Sequence, residues 1–192
     1  MSLDIQVYTK NLSDELIPKI VERLNDYEMN VEIYPNFSFK DHSGFLPFKF
    51  QLTNTKFEKL KGKTLVSGFE LYTDSFDLNA EKKKLNPKQN FLSNVFGKKQ
   101  QTYFGNAEID ERLKKCNQVV SFIWHASDSF EVRFVSLACA ILTELTDGVC
   151  CYPADNIWYD NKNIVQNMFN EVKGYESSLS DNDLQYHLFE GW

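Results

Sequence analysis

From residue 118 to 160 the apolar and polar positions fall into blocks that each fit one element. Residues 119–124 form a near-continuous apolar run of the kind carried by a strand buried on both faces, which predicts a central strand. Phe130, Phe134, Leu137, Ala138, Ile141, Leu142 and Leu145 then recur at helical spacing, and Ala138, Cys139 and Ala140 leave one side narrow enough for close packing on a sheet. Ser127 or Asp128 is placed to cap this helix, and Gly148 to end it in a left-handed conformation. Residues 149–152 return to the sheet, Pro153 ends that strand, and residues 157–159 pair back across a turn at 154–156.

The earlier chain reads as a meander. Ile5 and Val7 alternate with polar neighbours over residues 4–9, which predicts a strand with one buried face. Ser13 is placed to cap the helix that follows, with Asp14 and Glu15 at its positive end and Leu12 closing over Ile17. Leu16, Ile20 and Leu24 carry its apolar stripe as far as Asn25, and Pro18 predicts an irregular first turn. Strands follow at 31–34, at 48–52 where Phe48, Phe50 and Leu52 alternate with Lys49 and Gln51, and at 65–72 with Gly68 as a bulge. A short helix at 107–116 carries Ile109 and Leu113, and a last one at 161–172 carries Ile164, Val165, Met168 and Phe169 before Gly174.

Two segments break the periodicity. Residues 73–102 form a long lysine-rich connection with a short helix expected around 90–96, either an exposed insertion or a functional loop. Residues 175–192 mix acids with Leu179, Leu184, Tyr186, Leu188, Phe189 and Trp192, as a terminal helix packed on the body or a disordered tail with aromatic anchors. The fold class is α+β: one domain over residues 1–174 with a mixed, largely antiparallel sheet and helices packed on it, followed by the acidic aromatic tail. Two ferredoxin-like halves side by side are the runner-up.

Charge sharpens this picture more than composition does. Up to Tyr103 there are 15 Lys and Arg against 13 Asp and Glu, and after it 6 against 14. An acidic half repels phosphate backbones and attracts basic partners, so nucleic-acid binding there is disfavoured. No run approaches the roughly 20 apolar residues that cross a bilayer, and the first residues turn polar at once, so a cytoplasmic protein is expected. Cys116, Cys139, Cys150 and Cys151 are then expected as reduced thiols, the last two on opposite faces of one strand.

Candidate chemistry is sparse. His125 ends the central strand beside a helix start, a place where α/β proteins put functional groups, and Ser127 and Ser129 bring hydroxyls near it. No G-x-S-x-G elbow, Walker spacing, C-x-x-C, H-x-x-x-H or EF-hand loop accompanies them, so no metal, no cofactor and no catalytic residue is assigned. A hydrolase using His125 with a serine or cysteine remains the alternative. Asp155, Trp158, Tyr159 and Asp160 instead place aromatic residues beside acids, the composition of a protein-binding edge, with the edge of the core as the other use of the rings.

The segment from Ser129 to Asp160 resembles the helix, glycine turn and Trp or Tyr strand of small bacterial proteins, some of them similar to immunity proteins of polymorphic toxin systems. Tyr152, Pro153 and Ala154 stand where that pattern has an Asp-Pro turn. The resemblance implies a non-enzymatic, cytoplasmic protein that binds a cognate toxin. Asp155, Trp158, Tyr159 and Asp160 are then the expected contacts with a basic toxin domain. A housekeeping interaction module is the third reading.

Overall fold

The computed structural model describes residues 3–85 and 102–192. In chain order the elements are β1 (Leu3–Thr9), α1 (Leu16–Asn25), β2 (Met29–Ile33), β3 (Gly44–Leu52), β4 (Leu65–Ser75), α2 (Leu78–Leu85), α3 (Ala107–Leu113), β5 (Gln118–Trp124), α4 (Glu131–Thr146), β6 (Val149–Tyr152), β7 (Ile157–Trp158), α5 (Ile164–Ser178) and β8 (His187–Leu188). They build one α+β domain around a single sheet in the order β2-β3-β4-β5-β1-β6-β7, with β8 added on β4. Each ladder among the described residues is antiparallel, so the sheet is not mixed there, and it is not divided into two halves.

β5 lies in the middle, as its apolar run predicts. Both β5 and β6 pair antiparallel with β1 and therefore run parallel to each other, with α4 crossing between them over one face. On that face Ile5, Val7, Phe48, Phe50, Phe69, Leu71, Val120 and Phe122 meet Phe130, Phe134, Leu137 and Ile141, with α1 and α5 flanking. The Phe48 and Phe134 rings stack at 4.8 Å. β5 departs from the expectation in one respect: Val120, Phe122 and Trp124 are buried, whereas Val119, Ser121 and Ile123 are only half-buried. The reason lies on the opposite face, where a second core of Tyr8, Phe76, Leu78, Ile109, Leu113, Val149 and Cys151 covers only one end of the sheet.

Several local expectations change for identifiable reasons. Pro18 sits in the first turn of α1, where its missing N–H belongs to the unpaired set, and α1 runs unbroken to Asn25. Ser13 does not cap that helix, and Asp14 turns its carboxylate to the amide of Phe39 at 2.9 Å. Gly68 forms no bulge, because the β3–β4 register runs without interruption from Gly44↔Leu71 to Phe50↔Leu65. The left-handed residue after α4 is Asp147 at φ 48°; Gly148 is needed for space, since a Cβ there would lie 2.7 Å from the Tyr8 carbonyl oxygen. α5 continues through Gly174 to Ser178, carrying Glu176 under α4.

The lysine-rich connection begins later than expected, since β4 continues to Ser75 and α2 takes Lys82, Lys83 and Lys84. The helix expected at 90–96 lies outside the described residues. Beyond Ser178 the tail packs on the body as neither a helix nor a loose segment. Lys56 donates to the carbonyls of Ser177 and Leu179, Ser129 and Gln185 exchange two hydrogen bonds, and β8 then pairs with Leu65 and Val66. Phe189 and Trp192 finish against Lys49 and Tyr34.

Candidate functional site

The β6–β7 hairpin carries the residues expected to bind a partner, and alternation along β7 sends them to different faces. Trp158 lies opposite Cys151 and joins the second core, with its ring 5.9 Å from Tyr8 and 5.8 Å from Phe104. It packs so closely under the chain that a Cβ on Gly105 would come within 2.9 Å of it. Tyr159 turns the other way, half-buried against the main core, and burial pushes its hydroxyl pKa up. Asp155, Ile157 and Asp160 are exposed. Beside them Tyr159, Asp160, Asn167, Asn170 and Glu171 line a groove of about 360 Å³ along α5.

His125 is a corner residue whose ring makes one hydrogen bond among the described residues. Ala126, at φ 55°, turns the chain from β5 towards α4. Asp128 caps the helix by accepting from the amides of Phe130 (2.6 Å) and Glu131 (3.2 Å), and it also takes the Ser67 hydroxyl at 2.8 Å. Burial raises its carboxyl pKa. Glu131 reaches back to the His125 amide at 3.0 Å and to the Ser127 hydroxyl. The His125 imidazole itself bonds Glu70 at 3.2 Å, while the Ser129 hydroxyl accepts from Gln185. Neither serine is bonded to the ring.

The two strand thiols are also remote from it. Cys150 and Cys151 lie opposite Val7 and Gln6, whereas Trp124, the residue before His125, lies opposite Leu3, a displacement of roughly 10–13 Å along the strands. All four cysteines are free; Cys139 and Cys150 are fully buried, and burial pushes the Cys151 thiol up to about 12. Such thiols are poor nucleophiles. Among the described residues no group of three or more His, Cys, Asp or Glu side chains is placed to hold a metal ion. No described helix is long and apolar enough to cross a membrane.

A feature that no single segment announces appears when the strand registers are combined. On the face opposite α4, Phe45 of β3 lies across from Glu70 of β4, Glu70 across from Ile123 of β5, and Ile123 across from Asp4 of β1. This row alternates apolar and acidic side chains across four strands. Phe45 is 55% exposed and the other three are half-buried. Neither core includes any of them. The second core closes the sheet on one side of the row, and Phe189 and Trp192 lie on the other, with Trp192 itself 48% exposed. Tyr72 and His125 both reach Glu70, at 2.9 and 3.2 Å, and these bonds, the tyrosine's first, hold its carboxyl below the usual range.

The alternation of residues 44–52 carried a signal for this face. Leu46, Phe48 and Phe50 take the core parity, so Phe45 and Pro47 are apolar residues at the parity of Lys49 and Gln51. No protein-family model, no curated protein and no solved structure matches this chain.

Proposed function

We propose that this chain is a non-enzymatic protein-binding protein, an immunity factor that neutralises a cognate toxin by covering a basic surface on it. The observation that supports this reading is the row Phe45–Glu70–Ile123–Asp4, which both cores leave uncovered among the described residues. Most of a sheet face left without a helix is lined by polar side chains, whereas here an aromatic ring and an isoleucine alternate with two carboxylates. Apolar groups of this kind supply contact energy, and neighbouring acids select a basic partner and speed its approach. The excess of acids after Tyr103 acts in the same sense and disfavours nucleic acid.

The hairpin is a second location for the same activity, favoured by exposed Asp155 and Asp160 beside the α5 groove. Here Tyr159 lines the groove, while Trp158 holds the hairpin down from behind. The hydrolase alternative draws no support from the His125 ring, whose only hydrogen bond among the described residues goes to Glu70.

Association kinetics with the product of the adjacent gene test the proposal. Association is expected to slow as salt rises, because screening shortens electrostatic steering to about 8 Å at physiological ionic strength. Phe45→Ala is expected to raise the dissociation rate with the fold intact, and Asp155→Asn with Asp160→Asn to lower the association rate if the hairpin takes part. Salt-independent association with wild-type dissociation in the Phe45 variant defeats the sheet-face reading.

A further inference from the structure

We infer that the uncovered row receives an arginine side chain of the partner, its guanidinium seated on Glu70 between Phe45 and Ile123, in the place that the His125 ring occupies in the free protein. This rests on the protein-binding reading above and names the chemistry it selects.

The receptor is built by register. Phe45 and Ile123 lie directly across from Glu70 on its two sides, where facing Cβ atoms are about 5 Å apart, so the carboxylate is flanked by the bases of two apolar side chains. Gly68 fixes the first of them. A Cβ on Gly68 would lie 2.2 Å from the Leu46 carbonyl oxygen and 3.0 Å from the tip of the Phe45 ring, so the ring leans diagonally along β4 with its tip over the bare backbone two residues before Glu70. Its 55% exposure leaves it open to a planar cation.

Glu70 is already shown to take donors at both oxygens, Tyr72 on Oε2 and His125 on Oε1. Each carboxylate oxygen has two acceptor positions, so a guanidinium can bond both while Tyr72 keeps its own contact. His125 is the group that yields. Its side chain is 51% exposed and its ring makes one hydrogen bond among the described residues, whereas its backbone is held separately by Glu131. A guanidinium fits better than an ammonium because it is planar, weakly hydrated and able to stack on a ring while pairing a carboxylate bidentately. Asp4 stands two strands from Glu70, roughly 10 Å away, and takes a second basic side chain at that spacing.

The test uses the whole chain and needs no identified partner: NMR titration with N-acetyl-arginine amide, its lysine counterpart and its uncharged citrulline counterpart, following the Phe45 ring and His125 imidazole resonances. Saturable shifts are expected with arginine, binding about tenfold weaker with lysine, and none with citrulline. Glu70→Gln, which keeps the side-chain shape and one acceptor oxygen but removes the charge and the second acceptor, is expected to abolish the arginine shifts, and His125→Ala to strengthen them. Asp155→Asn with Asp160→Asn is expected to leave them unchanged. Equal shifts with citrulline, or wild-type binding by Glu70→Gln, overturn the inference. If arginine titrates as expected while the toxin complex ignores Phe45→Ala, the arginine site stands and the assignment of this face to the partner falls.

Discussion

Arg133 of α4 and Glu176 of α5 meet as a two-pronged ion pair, with Nε to Oε1 and Nη2 to Oε2 each at 2.7 Å. Their side chains are 1% and 11% exposed, and the remaining Arg133 nitrogen donates to the Tyr27 carbonyl at 2.7 Å. One guanidinium therefore ties together α4, α5 and the turn between α1 and β2. Removing one partner strands a charge in the interior, so Glu176→Gln is expected to cost about 3–5 kcal/mol in urea unfolding. The double variant Arg133→Met with Glu176→Leu is expected to lose much less. Equal losses in both would assign the effect to packing.

The end of α4 separates two uses of small residues. Gly148→Ala drives a Cβ to 2.7 Å from the Tyr8 carbonyl and 2.9 Å from the Thr146 hydroxyl, both fixed by the sheet and the helix, and is expected to destabilise by about 1–3 kcal/mol. Asp147→Gly acts the other way. It relieves a left-handed φ of 48° and removes an acid from the negative end of the helix, for an expected gain of about 0.5–1 kcal/mol. Thermal denaturation of the two variants reads both signs, and a destabilised Asp147→Gly would show that the carboxylate has a partner of its own.

Asp110 and Asp128 should respond to pH in opposite senses. Burial alone raises the Asp110 pKa, but Lys82 at 2.5 Å and the amides of Gly105 and Phe104 outweigh it, and the carboxyl ends lowered. Its contribution is thus present above the unfolded value of about 3.9 and lost as pH falls through the folded one. Asp128 is raised by burial, so its contribution is present below about 3.9 and lost as pH rises through the folded value. Asp110→Asn is therefore expected to cost most near neutrality, and Asp128→Asn most in acid. Chemical denaturation of both variants between pH 3 and 7, each measured against wild type, checks the crossing; parallel curves refute it.

What the sequence made legible was local. The run from Gln118 to Tyr152 gave a central strand, a helix and a returning strand because each apolar period is long and its punctuation clear. Boundaries failed where a distant partner decides them. α5 outlasts Gly174 because Glu176 finds Arg133 on another helix, and β8 is a two-residue strand that exists only because Leu65 and Val66 have an open side. Asp155, Trp158, Tyr159 and Asp160 were visible as a mixed acidic and aromatic segment, but not the parity that sends Trp158 into the second core. The Phe45–Asp4 row was hidden more deeply, since its members lie on four strands and only the registers bring them together.

Trp158 provides the sharpest separation of folding from binding. Its ring touches Tyr8 and Phe104, and its indole N–H donates to Asn156 at 3.0 Å, so it holds β7 onto the small second core. Trp158→Ala removes most of that packing from a half-buried site, and an expected loss of about 2–3 kcal/mol follows, below the 3–5 typical of fully buried rings. Trp158→Phe keeps the ring contacts and is expected to recover most of that loss, with only the N–H bond gone. At temperatures where both variants remain folded, dissociation of a partner bound on the Phe45–Asp4 row should match wild type for each. A Trp158→Ala protein of near wild-type stability whose complex falls apart faster would put the indole in the interface, and with it the hairpin as the contact surface.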